Sequence, residues 1–232
     1  MPSPEELFAV ALRTDPSRPF VTYYDERTGE RSELSVRSLA NWVAKTHHLL
    51  TDELGLGVGD AALIALPPHW ISVPVVLGAL SAGLELVTSG SADVAFVEPD
   101  TASAATGIDD CYAIAPMSAA VGLRDDVPNG TQDYVLAVRP QPDAWAGVQF
   151  GAAADDPALN GRSRAETVAR ARARSDQLGI ADGARVLSRD SDWLDDLFAV
   201  LVRNGSLVFV SGTDDAALLD RRAEQERVTN RT

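Results

Sequence analysis

Two hydrophobic periods alternate along this chain. From Phe20 to Asp25 the run is extended in character, and Arg31 to Leu34 answers it across the polar turn Glu26-Arg27-Thr28-Gly29, which predicts a β-hairpin. Ser35 then stands where an N-cap belongs. Val36, Leu39, Trp42, Val43, Leu49 and Leu50 follow at helical spacing until Gly55-Leu56-Gly57-Val58-Gly59-Asp60 ends the helix. Ala61 to Leu66 is apolar throughout, the pattern of a parallel strand covered on both faces. Ile71 to Ala82 predicts an uncharged, buried helix, and Leu84–Val87 and Val94–Val97 predict two short strands. Ahead of all this, Pro4 to Leu12 predicts a short helix with Ser3 as its cap.

Between residues 101 and 143 the pattern weakens around Pro116, Pro128, Pro140 and Pro142. Strands are expected at Tyr112–Ile114 and Tyr134–Val138. Regularity returns with a helix from Ser163 to Leu178, stopped by Gly179. A strand (Ala184–Ser188), a helix (Trp193–Arg203) and a strand (Leu207–Val210) follow, then a charged tail helix that frays from Asp214 to Thr232. This order predicts an α/β fold, a largely parallel sheet or sheets with helices on both faces. We expect a single lobe over 1–232 with halves at about 1–143 and 144–232, which end in the same succession of helix, glycine turn, strand, apolar helix and strand.

Composition narrows the partners. A chain of 232 residues, 45% hydrophobic, can bury a full core. Its net charge of −14 argues against nucleic acid and anionic membrane surfaces as partners. Cys111 is the only cysteine, so no intramolecular disulfide forms; Met1 to Arg13 carries Glu5 and Glu6 and does not read as a signal peptide. The uncharged run His69–Leu84 contains Pro74 and Gly78 and is short for a bilayer span of about 20 residues. These features predict a cytoplasmic protein. Of the 20 basic residues only Lys45 is a lysine, which leaves lysine-dependent chemistry one candidate.

The ordered motifs carry a family resemblance. Leu34-Ser35 to Leu39 resembles the "L-T/S-Y-x-E-L" opening of the adenylate-forming enzymes, which comprise acyl- and aryl-CoA synthetases, luciferases and nonribosomal peptide adenylation domains. Leu54 to Asp60 followed by Ala62 to Pro67 is similar to their "LGVGPGDRVAL-LP" turn and strand, and Leu77 to Gly83 to their "LLAxLKAG" helix end. Leu178 to Leu187, then Leu197 to Val208, resembles the elements that follow the family's phosphate loop. The resemblance implies the front part of the family's N-terminal lobe, a short form whose adenine, ribose, Mg²⁺ and C-terminal catalytic elements would lie beyond Thr232. It also implies where the phosphate loop, "T/S-S-G-T/S-T-G-x-P-K-G", should fall, and that place reads Phe150-Gly151-Ala152-Ala153-Ala154-Asp155-Asp156-Pro157-Ala158-Leu159. Pro157 matches. Ala153 and Ala154 replace hydroxyls, Asp155 replaces a glycine and Ala158 replaces the lysine, while two carboxylates oppose a triphosphate. The expectation is therefore no catalytic residue, no cofactor and no metal.

Two strand-end turns, Thr88-Ser89-Gly90-Ser91 and Ser211-Gly212-Thr213, read either as plain turns or as a small anion site on backbone amides at a sheet's carboxyl edge; His69 is a further candidate there. Gly55-x-Gly57-x-Gly59 follows a helix and precedes a strand, the reverse of a dinucleotide fingerprint. The acidic pairs, such as Asp155-Asp156 and Asp195-Asp196, read as caps and solvated turns. His47 and His48 point apart on one helix, and acidic neighbours make Cys111 a poor thiolate. Arg162, Arg164, Arg170, Arg172 and Arg174 read as a solvated face or as a dock for an acidic surface. Together these predict a non-catalytic binding or regulatory module that takes a small acyl or nucleotide-like ligand or a protein partner and forms homo-oligomers. The alternatives are an ATP-dependent acid ligase completed by another chain, and a structural oligomerisation protein.

Overall fold

The computed structural model describes residues 2–115, 122–123, 127–144, 152–189 and 192–232, and these divide into two compact units that interleave along the chain. The first comprises Met1–Leu39, Pro67–Trp70 and Ala165–Thr232; the second comprises Ala40–Leu66 and Ile71–Arg164.

The first unit is built on a five-stranded sheet of order β12-β10-β11-β1-β2. Its strands are β1 (Pro19–Asp25), β2 (Glu30–Ser35), β10 (Arg185–Ser188), β11 (Ser206–Ser211) and β12 (Asn230–Arg231). The hairpin forms as predicted, β2 running antiparallel to β1, while β11 is parallel to both β1 and β10. Val21 lies beside Leu207 and Tyr23 beside Phe209, so the apolar runs of two distant segments meet in one core. Around the sheet stand α1 (Pro4–Thr14), α5 (Arg164–Gln177), α6 (Trp193–Leu201) and α7 (Ala216–Gln225). Ser3 caps α1 in a reciprocal capping box with Glu6.

The arginines of α5 are used inside this unit. Arg170 donates to Asp195, and Arg174 places both Nε and Nη2 on Oδ1 of the buried Asp196, at 2.8 and 2.6 Å. The acidic pair at the start of α6 is thus the surface on which that face of α5 docks. Ser188 and Thr232 donate to the other oxygen of Asp196, which leaves a buried carboxylate fully hydrogen-bonded.

The second unit holds a seven-stranded sheet of order β7-β6-β5-β3-β4-β8-β9. The strands are β3 (Ala61–Ala65), β4 (Glu85–Val87), β5 (Val94–Val97), β6 (Asp110–Ala113), β7 (Gln132–Asp133), β8 (Pro157–Leu159) and β9 (Arg162–Ser163). Every pairing is parallel except β8 with β9. The central strands are buried except at the half-buried ends of β3, Ala61 and Ala65, which is why they read as unbroken apolar runs. Helix α2 (Val36–His48) contributes its first turn to the first unit and the remainder here, where it continues as a π-helical turn over Leu49–Glu53. Helix α3 (Ser72–Ser81) is buried throughout, and its Gly78 permits close approach to Thr46: a Cβ there would stand 2.5 Å from the Thr46 Cβ.

Two expectations are corrected, and one element is new. Tyr134–Val138 is not a strand but a short helix, α4, because Asp133 caps it by accepting from the Val135 and Leu136 amides. The tail does not fray as a helix: α7 ends at Gln225, Arg227 takes a left-handed φ of 53°, and the chain returns as β12 beside β10. Residues 157–163 form a β-hairpin ahead of the helix, turned by Asn160 (φ 48°) and Gly161 (φ 78°). Among the described residues no helix is long and apolar enough to cross a membrane.

Candidate functional site

Two groups of sequence candidates can be placed, one in each unit. In the second unit the candidate loop is a turn closed on itself. The Asp156 carboxylate accepts from the Ala153 amide at 2.6 Å, the Asp156 amide donates back to the Ala153 carbonyl at 3.1 Å, and the Asp156 carbonyl accepts from the Arg164 amide. An N–H that could face an anion is thereby taken by the loop's own carboxylate. Ala154 and Asp155 are exposed in the turn, and Gly151 lies outside the described residues. Pro157 opens β8, where it needs no amide hydrogen, and Ala158 is fully buried in that strand. The position where the resemblance expects a lysine therefore faces the core.

Arg164 organises the base of this loop. Its guanidinium is completely buried and donates to the Pro157 carbonyl at 2.5 Å and to the Leu80 carbonyl at 3.3 Å. Asn160 ties the hairpin to the strand-end turn after β4: its Oδ1 accepts from the Thr88 amide at 3.0 Å and from the Thr88 hydroxyl, and its amide donates to the Leu86 carbonyl. The structure thus brings one Ser-Gly candidate, Thr88 to Ser91, to the candidate loop. Ser89 and Gly90 themselves remain exposed. Neither Asn160 nor Arg164 was a sequence candidate for the site, although the Asn160-Gly161 pair is a hairpin signal in its own right.

Lys45 is committed elsewhere in the same unit. Its ammonium donates to the Arg139 and Gln141 carbonyls, at 2.8 and 2.5 Å, beyond the end of α4. The sole lysine is a helix-end clamp.

In the first unit the structure joins two further candidates, Ser211 and His69, through Tyr23. The Tyr23 hydroxyl and Ser211 Oγ are 2.8 Å apart, and the His69 ring packs edge-on to Tyr23 with centroids 4.1 Å apart. Gly212 (φ 76°) turns the chain at the end of β11, where a Cβ would meet Asp25 Oδ1 at 2.7 Å and the Arg27 amide at 3.0 Å. The Thr213 hydroxyl accepts from the Asp215 amide, and its carbonyl accepts from Arg189. These contacts belong to an internally satisfied turn.

Burial governs protonation in this group. It drives the imidazole of His69 down to about 3, with only Asp25 acting against it, and raises the Tyr23 phenol, which the bond with Ser211 partly offsets. Burial also works to raise Asp25, but the Arg27 amide and the Thr28 hydroxyl and amide outweigh it and hold the carboxyl below its usual range. Burial, not the acidic neighbours the sequence suggested, raises the Cys111 thiol. No cluster of three or more metal-ligating side chains occurs among the described residues.

No family model matches the chain. A curated relative from Mycobacterium tuberculosis (strain ATCC 25618 / H37Rv), described as a TIGR03089 family protein, is 36% identical over 230 residues, 94% of this chain and 93% of the relative. Among solved structures, Brucella canis acyl-CoA synthetase superposes with a TM-score of 0.75 at 16% identity, covering 99% of this chain and 47% of that one. Mycobacterium tuberculosis fatty acyl CoA synthetase gives 0.70 at 14% identity, covering 97% and 48%. The N-terminal domain of FACL13 from Mycobacterium tuberculosis gives 0.67 at 17% identity, covering 98% and 62%. The fold is therefore that of the N-terminal lobe of adenylate-forming enzymes, and the chain spans about half the length of the two synthetases.

Proposed function

This chain belongs to the TIGR03089 family, and from that premise we propose that it is a non-catalytic form of the adenylate-forming lobe, a module that binds a small acyl or nucleotide-like ligand. The fold supports the class of ligand, and one observation carries the loss of catalysis. At the phosphate-loop position the chain's own Asp156 carboxylate occupies the Ala153 amide, and Ala158 is sealed in β8. Transfer of an adenylyl group requires donors and cations placed against developing negative charge. This loop presents Asp155 and Asp156 instead, and the chain's one lysine is held on the carbonyls of Arg139 and Gln141.

The test is pyrophosphate–ATP isotope exchange by the purified chain with a panel of aryl and fatty acids. No exchange above the protein-free background is expected. Exchange that copurifies with the chain and is lost on its removal would overturn the non-catalytic reading. Thermal shift against AMP, ATP, CoA and the same acids examines the ligand: a rise in melting temperature with at least one is expected, and none with any would remove the small-ligand part of the proposal.

A further inference from the structure

The last turns of α2 grip the segment after α4 with three side chains. Lys45 holds the Arg139 and Gln141 carbonyls, Glu53 accepts from the Gln141 side-chain amide, and His48 reaches the carbonyl of Ala144. The His48 ring lies between two acceptors. Nδ1 is 2.7 Å from Asp52 Oδ2, and Nε2 is 3.3 Å from the Ala144 carbonyl oxygen. A carboxylate and a carbonyl can only accept, so both ring nitrogens must carry hydrogen to satisfy both contacts. A neutral imidazole carries one. We propose that His48 is a proton-operated latch: the imidazolium ties the segment of residues 139–144 to the π-helical turn, and loss of its second proton releases one of the two contacts.

The titratable and charged groups of the two elements that meet here are consistent with this. On the helix and its π-helical turn stand Lys45, His47, Asp52 and Glu53, and on the facing segment Arg139 and Asp143. The Asp52 carboxylate meets the ring at Nδ1. His47, whose ring is 5.4 Å from that of His48, would oppose a second positive charge, but burial holds it below its ordinary range and its Nδ1 is engaged with Ser81. The Thr51 hydroxyl lies 2.9 Å from the second oxygen of Asp52 and 3.0 Å from the His47 carbonyl, and shares its one hydrogen between them. The latch is independent of the function proposed above.

Hydrogen exchange of the full chain from about pH 5 to pH 8, the range over which histidine changes charge, tests this once rates are corrected to protection factors. Ring-nitrogen shifts of His48 report its protonation in the same samples. Protection of the Arg139 and Gln141 amides should fall about 2- to 10-fold as His48 loses its second proton, the span of one hydrogen bond's net worth. Asp52→Asn separates a latch from a general loosening. Asparagine can turn its NH₂ toward Nδ1 and leave the Nε2–H for Ala144, so protection should stay high and lose its pH dependence. His48→Gln should also lose the dependence. Protection that does not change through the His48 titration, or that changes equally in both variants, overturns the proposal.

Discussion

His69 sets a pH dependence for the first unit. Its ring is fully buried against Tyr23 and Trp70, and burial prevails over the opposing charge of Asp25 and favours the neutral ring. The folded chain holds His69 neutral down to about pH 3, whereas the unfolded chain charges it near 6.5. Its contribution to stability is therefore whole above 6.5 and is lost as pH falls through the window between those values, by about 1.4 kcal/mol per pH unit. His47, in the second unit, is also lowered by burial and gives a loss of the same sign there. In urea unfolding at pH 4 to 7, His69→Phe should show a shallower loss than the unaltered chain. Equal slopes would mean that His69 is charged in the folded state.

Among the elements, α4 depends on one side chain. Asp133 accepts from the Val135 and Leu136 amides with Oδ1 and from the Leu123 amide with Oδ2. Asp133→Ala should cost about 1–2 kcal/mol through the cap alone, read as a lower urea midpoint at unchanged slope, and Asp133→Asn, which keeps one acceptor oxygen for the cap but sets its NH₂ against the Leu123 amide, should recover only part of it. No shift with Asp133→Ala would show that the cap is not needed. The same residue shows where the sequence could mislead. Tyr-Val-Leu-Ala-Val is too short and too apolar for periodicity to separate strand from helix, and the decision lay in Asp133 before it and Pro140 after it. Elements bounded by clear turn or cap residues were readable: β1, β3, β5, α2, α3 and α5 lie within a few residues of where their patterns put them. The candidate site was readable in part. The departures at Ala153, Asp155 and Ala158 were visible as residues, and the Asn160-Gly161 turn could have been. The inward aim of Asp156 depends on how the turn closes, and the meeting of Tyr23, His69 and Ser211 depends on three segments far apart in the chain, which no local pattern encodes.

At the scale of the whole molecule, the first unit cannot be cut out as one piece of chain. Its middle strand, β11, lies between β10 from the same C-terminal stretch and β1 from near the N-terminus. Residues 165–232 alone would leave the β11 edge unpaired along Leu207, Val208, Phe209 and Val210, all buried in the complete unit. That fragment should show no dispersed amide spectrum and should aggregate; a dispersed spectrum from the fragment alone would show that β1 is dispensable. The same interleaving has a consequence in time. A nascent chain exposes Val21 long before Leu207, its lateral partner, has been polymerised, and at about 5–20 residues per second the gap lasts on the order of 10–40 seconds. Throughout that wait β1 has only the charged strand β2 beside it, so its apolar face must stay unpaired until the chain has been made as far as Leu207 and its core can close.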